Sequence, residues 1–334
     1  MFAKKIGIDL GTASTRVYVR GEGIVLDQPS LAAVEAGGAR VIALGRQAAE
    51  LADRTPGAVR LVWPMREGAI ADRSVVDQSL RQLVARAQGR QRLFRPEVMM
   101  CVPAAATSQH RYAMTEAAIA AGARQAWLIE APLAAAMGLD LPVAAAAGSA
   151  VCDAGAGGVQ VAVISQSGVV AAQSVEAGGD RLDDAIAAWV RERHGVRLER
   201  RAAEALKLAL GSAVPLERPL TVEVTGEDAT GAAATVTVSS GDVTEAIQDP
   251  LQSVAAAVRE VLGQVPARLA SGIAEHGLHL TGGGALLRGL DGFLARATGV
   301  PVRVPDDPRT CAVRGTRRAL GEFELLQRRQ LYMR

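Results

Sequence analysis

Lysine, aromatic side chains and cysteine are all scarce in this chain of 334 residues. Three lysines (Lys4, Lys5 and Lys207) stand among 37 basic residues, so nearly all the positive charge is arginine. Aromatics make up 3% of the residues, too few for a platform on which nucleic-acid bases stack. The formal net charge is +2, far from the dense positive field that neutralises phosphates. Together these exclude a general nucleic-acid binder. The three cysteines, Cys101, Cys152 and Cys311, lie far apart. An odd, scattered set builds neither a disulfide framework nor a zinc site, and a reducing cytoplasm is the simplest reading. Uninterrupted hydrophobic runs are missing too. The apolar stretch 132–152 is broken by Pro132, Asp140 and Pro142 and is rich in Ala and Gly, which argues against a membrane span. Met1-Phe2-Ala3-Lys4-Lys5 runs straight into a strand-like segment, without the pattern of a signal peptide.

What is present is enough apolar residue, 49%, to build buried cores. The length predicts roughly two domains of ~150 residues each. One internal repeat organises the chain. Residues 5–19 read KIGIDLGTASTRVYV and residues 150–164 read AVCDAGAGGVQVAVI. Each is an apolar strand, an Asp-x-Gly, a turn of small residues and a second strand. A third apolar run follows each, at Gly23-Ile24-Val25-Leu26 and Gly168-Val169-Val170. The aspartates, Asp9 and Asp153, are 144 positions apart, so the period is a whole domain rather than a solenoid repeat.

After each meander the pattern turns helical. Val75, Val76, Leu80, Leu83 and Val84 predict a helix over 74–88. A strand over 98–102, a helix at about 107–121, a strand over 127–129 and an Ala-rich helix from Pro132 follow. In the second half, 180–193 and 201–211 read as amphipathic helices and 220–238 as paired strands. A helix at about 241–263 precedes Leu278-His279-Leu280. Mixed strands and helices in two similar halves predict an α/β protein with a cleft between them.

Three turns of small residues follow apolar strands: Asp9-Leu10-Gly11-Thr12-Ala13, Asp153-Ala154-Gly155-Ala156-Gly157-Gly158 and Thr281-Gly282-Gly283-Gly284. Glycine lets backbone N–H groups converge on an anion with no Cβ in the way. An aspartate at a strand end beside such a turn suits hydrated Mg²⁺, which takes few carboxylates plus phosphate and water. A lone Asp-x-Gly is weak evidence. Two in the same setting, with a later Gly-Gly-Gly, are specific.

The order of these motifs resembles the superfamily of actin, chaperone ATPases and sugar kinases, and within it the MreB/Mbl family of bacterial actin homologues. The matching segments include Gly21-Glu22-Gly23-Ile24-Val25-Leu26, Arg54-Thr55-Pro56-Gly57, Pro64-Met65-Arg66-Glu67-Gly68-Ala69-Ile70-Ala71-Asp72 and Cys101-Val102-Pro103. They continue with Leu128-Ile129-Glu130, Gly178-Gly179-Asp180 and 280–290, in register over almost the whole chain. The resemblance implies an actin-like ATPase fold, with two duplicated α/β domains around a nucleotide cleft, each with a smaller subdomain. The expected limits are 1–140 plus 315–334 for the first domain (subdomain about 32–73) and 141–314 for the second (subdomain about 181–243). It implies ATP and Mg²⁺ as cofactors. Asp9 and Asp153 would act on the metal through water. Gly11, Thr12, Ala13, Gly155, Ala156 and Gly157 would hold phosphate. Gly178, Gly179, Asp180, Gly282, Gly283 and Gly284 would line the rest of the nucleotide. A Glu-x-x-Lys on a helix of the second half, here Glu204 and Lys207, would hold ribose and adenine. The i, i+3 spacing puts both on one helix face, where the alternative is an ordinary surface ion pair. A lone Lys in an Arg-rich chain favours the shaped site, because ammonium and guanidinium are not interchangeable there.

The chain departs from the family pattern in three places. Where relatives carry a second Glu that positions the attacking water, this chain has Ala131, next to Glu130. Phosphoryl transfer relies on positioning, so slow or absent hydrolysis is expected and no catalytic residue is assigned. In the second phosphate turn relatives usually carry Gly-Gly-Gly-Thr-Thr where this chain has Gly155-Ala156-Gly157-Gly158-Val159, so the Asp-x-Gly-x-Gly skeleton survives but two hydroxyls that could bind phosphate are missing. Arg314 stands before Gly315, near the expected hinge, in place of an apolar residue.

By resemblance, the protein forms cytoskeletal filaments in the cytoplasm, peripheral to the inner face of the cell membrane. There it would meet cell-wall synthesis and shape proteins, and an anionic membrane surface. Leu93 and Phe94, set among Arg90, Arg92 and Arg95, match a membrane-insertion loop; the alternative is a loop folded back on the core. Burying both would contribute roughly 3–5 kcal/mol, with ~1 kcal/mol more per arginine on anionic lipid. Filament avidity would multiply that. Rival readings are a degenerate actin that regulates or co-assembles with an active paralogue, a small-molecule kinase and a chaperone-type ATPase.

Overall fold

The computed structural model describes residues 3–89 and 94–321. The first meander is β1 (Lys5–Leu10), β2 (Ser14–Val19) and β3 (Gly23–Pro29), all antiparallel. The chain then leaves this sheet. β4 (Ala32–Glu35), β5 (Val41–Leu44), α1 (Arg46–Arg54) and β6 (Val59–Val62) form a three-stranded sheet of order β5-β4-β6 with its own small core around Leu31, Ala33 and Ala48. A two-strand hairpin, β7 (Met65–Arg66) and β8 (Ala69–Ile70), leads back to α2 (Arg73–Gln88). Asp72 caps α2 by accepting the Val75 N–H at 3.1 Å. β9 (Glu97–Val102), α3 (Ser108–Ala120) and β10 (Gln125–Glu130) complete a five-stranded sheet of order β10-β9-β1-β2-β3, in which β1, β9 and β10 run parallel. Helix α4 (Ala131–Gly138) begins directly at the end of β10, one residue before the expected Pro132.

The second half repeats this plan. β11 (Ser149–Ala154), β12 (Val159–Ser165) and β13 (Gly168–Val175) form the meander. Helices α5 (Gly179–His194) and α6 (Arg200–Leu210) and the hairpin β14 (Thr221–Glu227) and β15 (Ala233–Ser239) follow. The helix expected at about 241–263 is two helices, α7 (Ser240–Ala246) and α8 (Gln248–Gly263). Pro250 has no N–H to give the Ala246 carbonyl, so the ladder breaks at Ile247 and restarts. Then come α9 (Ala267–His276), β16 (Leu278–Thr281), α10 (Leu290–Thr298), β17 (Val302–Arg303) and α11 (Cys311–Gly321). The second sheet has the order β13-β12-β11-β16-β17, the same plan as the first.

The repeat extends to register. Ile6 faces Val19, Asp9 faces Arg16 and Leu10 faces Thr15; at the same spacing Ala150 faces Val163, Asp153 faces Gln160 and Ala154 faces Val159. Both aspartates therefore leave their sheets at the same end, which is what the duplicated sequence implied.

Helices α4 and α11 join the halves. Their apolar faces (Leu133, Ala134, Met137, Cys311, Ala319) share one core with Met99 and Trp127 of the first sheet and Val151 and Ile164 of the second. The two helices touch backbone to backbone: a Cβ on Gly315 would lie 1.7 Å from the Ala134 carbonyl oxygen, and one on Gly138 would lie 2.0 Å from that of Cys311. The three cysteines are free and buried. Among the described residues no helix is long and apolar enough to cross a membrane.

Candidate functional site

The two Asp-x-Gly turns meet across the cleft. Each is a tight hairpin closed by one bond, Gly11 N–H to the Ser14 carbonyl at 3.1 Å and Gly155 N–H to that of Gly158 at 2.9 Å. The amides of Thr12, Ala13, Ala156 and Gly157 have no partner among the described residues. Four unpaired N–H groups on two facing turns make a cradle for an anion. Gly157 holds the approach close: a Cβ there would stand 2.5 Å from Thr12 Oγ1 and 2.8 Å from Glu67 Cα. The Thr12 hydroxyl also accepts the Gly68 N–H at 3.2 Å, so the β7–β8 turn closes over the same spot. Glu67 lies in the left-handed region at φ 51°, as this two-residue turn demands.

The carboxylates sit beneath the turns. Burial pushes Asp9 up to about 6, opposed by Arg16 and reinforced by Asp153. Asp153 is likewise raised by burial and drawn back by the Thr281 hydroxyl, which donates to its Oδ1 at 3.2 Å, and by Arg16. Two buried carboxylates, both raised by burial and one further by its neighbour, hold negative charge that a cation would relieve. Arg16 lies 3.8 Å from Asp9 and 3.2 Å from Asp27, half-answering that charge from the side. The donor set suits a hydrated Mg²⁺, which Asp9 and Asp153 would hold, beside a phosphate that the unpaired amides would take.

The remaining turns pack on the second one. A Cβ on Gly178 would meet the Ala156 carbonyl oxygen at 2.3 Å. Gly179 and Asp180 donate their N–H groups to the Gly155 and Ala156 carbonyls at 3.0 and 2.9 Å. Gly282 and Gly284 lie against Asp153 and Ala154, where a Cβ would come within 2.8 Å. The structure thus gathers Asp9, 11–13, 153–157, 178–180 and 282–284 at one cleft.

Glu204 and Lys207 share α6, as the spacing implied. Glu204 is exposed. The Lys207 ammonium donates to the Gly179 carbonyl at 2.9 Å and pairs with Asp183 at 2.8 Å. Asp183, 4% exposed, is raised to about 6 by burial, with Lys207 pulling it down. Lys207 therefore reaches the turn 178–180 while anchored to a buried acid of α5.

Ala131 is buried at the first turn of α4. Its neighbour Glu130 is tied to Arg111 at 2.9 Å, so that carboxylate is directed into α3. Arg314 is half-exposed and pairs with Asp307 at 3.4 Å, which lets an arginine stand beside the helix crossing. Phe94 is 49% exposed, and Leu93 lies outside the described residues.

Sequence reasoning missed Arg16, Asp183 and the Glu67–Gly68 turn as parts of the site, and it named Thr281 as the head of the third turn without its bond to Asp153. Arg16 carried a usable signal, because in a tight hairpin the residue seven after Asp9 is its cross-strand partner. Asp183 carried none, since nothing in its own segment pairs it with α6.

The comparisons agree with this geometry. The MreB/Mbl protein family matches residues 3–328. The cell shape-determining protein MreB of Escherichia coli strain K12 is 44% identical over 331 residues, 97% of this chain and 95% of that protein. The cell shape-determining protein Mbl of Bacillus subtilis is 34% identical over 332 residues, covering 99% of this chain and all of that one. Among solved structures, MreB5 of Spiroplasma citri bound to ADP superposes with a TM-score of 0.89 at 27% identity, covering 98% of each chain. A MamK double helical filament shares the fold at a TM-score of 0.79 and 18% identity, over 96% of this chain and 99% of that one. Twin Asp-x-Gly hairpins in matched register, closed by two crossing helices, are thus one more instance of the actin-like α/β fold, and the chain belongs to the MreB/Mbl family of cell shape-determining proteins.

Proposed function

We propose that the chain binds ATP with Mg²⁺ and assembles into filaments, and that it hydrolyses ATP slowly or not at all. The observation that carries nucleotide binding is the pair of facing turns, whose unpaired amides stand over Asp9 and Asp153. The Spiroplasma citri relatives bound to ADP and to AMPPNP support it. Bound Mg²⁺ would neutralise charge on the β- and γ-phosphates. The chain's own contribution is to aim amides at phosphate and to exclude water by closing 66–69 over Thr12 and Gly157. In this reading 1–140 with 315–334, and 141–314, are the two domains that close. Head-to-tail contacts between copies are heterologous and build an open filament. That filament lies in the cytoplasm against the inner membrane, and guides wall synthesis there with shape and synthesis proteins.

Slow hydrolysis rests on Ala131. A methyl group cannot orient water, and Glu130 beside it is held by Arg111. The same observation favours a second reading, a degenerate actin that co-assembles with an active paralogue. Electron microscopy and pelleting of the purified protein with ATP, with AMPPNP and with no nucleotide test the first reading. Filaments with either nucleotide are expected. No pelleting alone, with pelleting restored by an active paralogue, selects the second reading. Single-turnover phosphate release should be slow in the wild type and faster in Ala131→Glu; fast release by the wild type refutes impaired hydrolysis.

A further inference from the structure

One contact crosses the cleft away from the phosphate turns. Arg200 opens α6, and its Nη2 lies 2.7 Å from Oδ1 of Asp180, the residue that ends the turn 178–180. The other side of the same guanidinium stacks on Trp63, with Cζ 5.8 Å from the ring centroid. Trp63 belongs to the opposite half. It links β6 of the small three-stranded sheet to the β7–β8 hairpin, whose turn covers Thr12 and Gly157. Trp63 is 38% exposed, so it is not a core residue of that sheet. Asp183 and Asp184 add to the negative field that Arg200 faces. Asp180 in turn donates its amide to the Ala156 carbonyl of the second phosphate turn.

The chain of contacts therefore runs from phosphate turn to Asp180, to Arg200, to Trp63 and into the small sheet of the first half. Arginine suits the middle place. Its planar group can pair with a carboxylate along one edge and stack by its face, which an ammonium cannot do. Arg200 and Lys207, two helical turns apart, both fasten α5 from one face of α6, but of these two pairs Arg200–Asp180 is the one that also touches the first half.

We infer that Arg200 is a positioning residue of the nucleotide site: it holds Asp180 in place and, through Trp63, latches the small sheet of the first half over the cleft, so that closure and retention of nucleotide are one event. This rests on the nucleotide-binding reading above. The partner of the latch is a carboxylate at the nucleotide turn, so nucleotide that orders this turn also sets the cation under Trp63. Closure then reads out the occupied site.

The test is the dissociation rate of a fluorescent ATP analogue chased with ATP, read beside tryptophan emission. Trp63→Ala should speed release about threefold, the size expected of one exposed cation–π contact. Arg200→Ala, which also loses the ion pair, should speed it about tenfold. The double variant should be no faster than Arg200→Ala, because Trp63 acts through Arg200. Trp63→Phe, which keeps a ring face, should restore most of the wild-type rate, and Arg200→Lys should fall between wild type and Arg200→Ala. ATP should change tryptophan emission in the wild type, not in Trp63→Phe, and little in Arg200→Ala. Both side chains are partly exposed, so unfolding midpoints without nucleotide should stay at the wild-type value. If the wild type binds ATP and both alanine variants release it at the wild-type rate, the latch is wrong and the nucleotide reading stands. If the wild type binds no ATP, both fall.

Discussion

Gly315 stands where α11 crosses α4, and Gly315→Ala is the sharpest test of that crossing. The added Cβ would lie 1.7 Å from the Ala134 carbonyl oxygen, 2.5 Å from its carbon and 2.9 Å from its Cα. All three are backbone atoms in a helix, so no side chain can swing away. Reaching ordinary contact needs the helices to part by about 1.5 Å, and a gap of even ~1 Å forfeits roughly half of each dispersion contact across it. The neighbours that lose contact include Ala135, Met137, Ala312 and Ala319, all in the core shared by both sheets. Overpacking of this kind costs about 3 kcal/mol, at the upper end of the usual range. For a chain of this length that lowers the unfolding midpoint by about 4 °C. Gly263→Ala is the control. It makes the same substitution at the last residue of α8, where the new methyl meets nothing within 4 Å. There alanine is the better helix former and should stabilise by up to ~1 kcal/mol. Thermal unfolding followed by circular dichroism separates the two. A Gly315→Ala midpoint at or above that of Gly263→Ala would refute the close crossing.

Lys207→Ala strands the buried Asp183 carboxylate and frees the Gly179 carbonyl, so a loss of about 3 kcal/mol in chemical denaturation is expected, with clearly weaker ATP binding. Lys207→Arg should restore only part of both, and ATP binding unchanged in both variants would remove Lys207 from the site. Asp183 is raised from 3.8 to about 6 in the folded chain, chiefly by burial and despite Lys207. Between those values the folded state holds the extra proton, so stability of the nucleotide-free protein should fall as pH rises through that window and level off above it. Asp183→Asn should make the fall shallower without abolishing it, because the buried Asp9 and Asp153 are raised in the same direction; an unchanged slope would show that Asp183 does not contribute. Leu93→Ser/Phe94→Ser should reduce co-sedimentation of assembled protein with anionic liposomes, and unchanged binding would exclude this segment as the membrane contact.

The duplicated meander was legible because its period is written in residue types: apolar strand, Asp, Gly, small residues, apolar strand. Hairpin register follows from so short a turn, which is why the facing of Asp9 and Arg16 repeats as that of Asp153 and Gln160. The helices at 73–88, 179–194 and 200–210 were legible from amphipathic spacing. The break at Ile247 was not, because apolar spacing runs through it and the decisive fact is one missing N–H at Pro250. Helix α9 escaped notice because its ten residues, capped by no side chain, bury Leu269 and Ile273 alone.

Local chemistry in the sequence was enough to determine that two glycine turns bear aspartates and that a third follows, while the resemblance to the family added that Ala131 stands where relatives carry a carboxylate. These are properties of short segments, and short segments carry their own conformational rules. What surrounds those turns was decided in three dimensions. Arg16 between Asp9 and Asp27, Asp183 beneath Lys207, Glu130 drawn off by Arg111 and Trp63 laid on Arg200 are pairings between distant parts of the chain or across strands. Burial sets their strength: a carboxylate that would be a solvated surface charge in an open chain becomes, under two sheets and a helix crossing, a group that must find a cation.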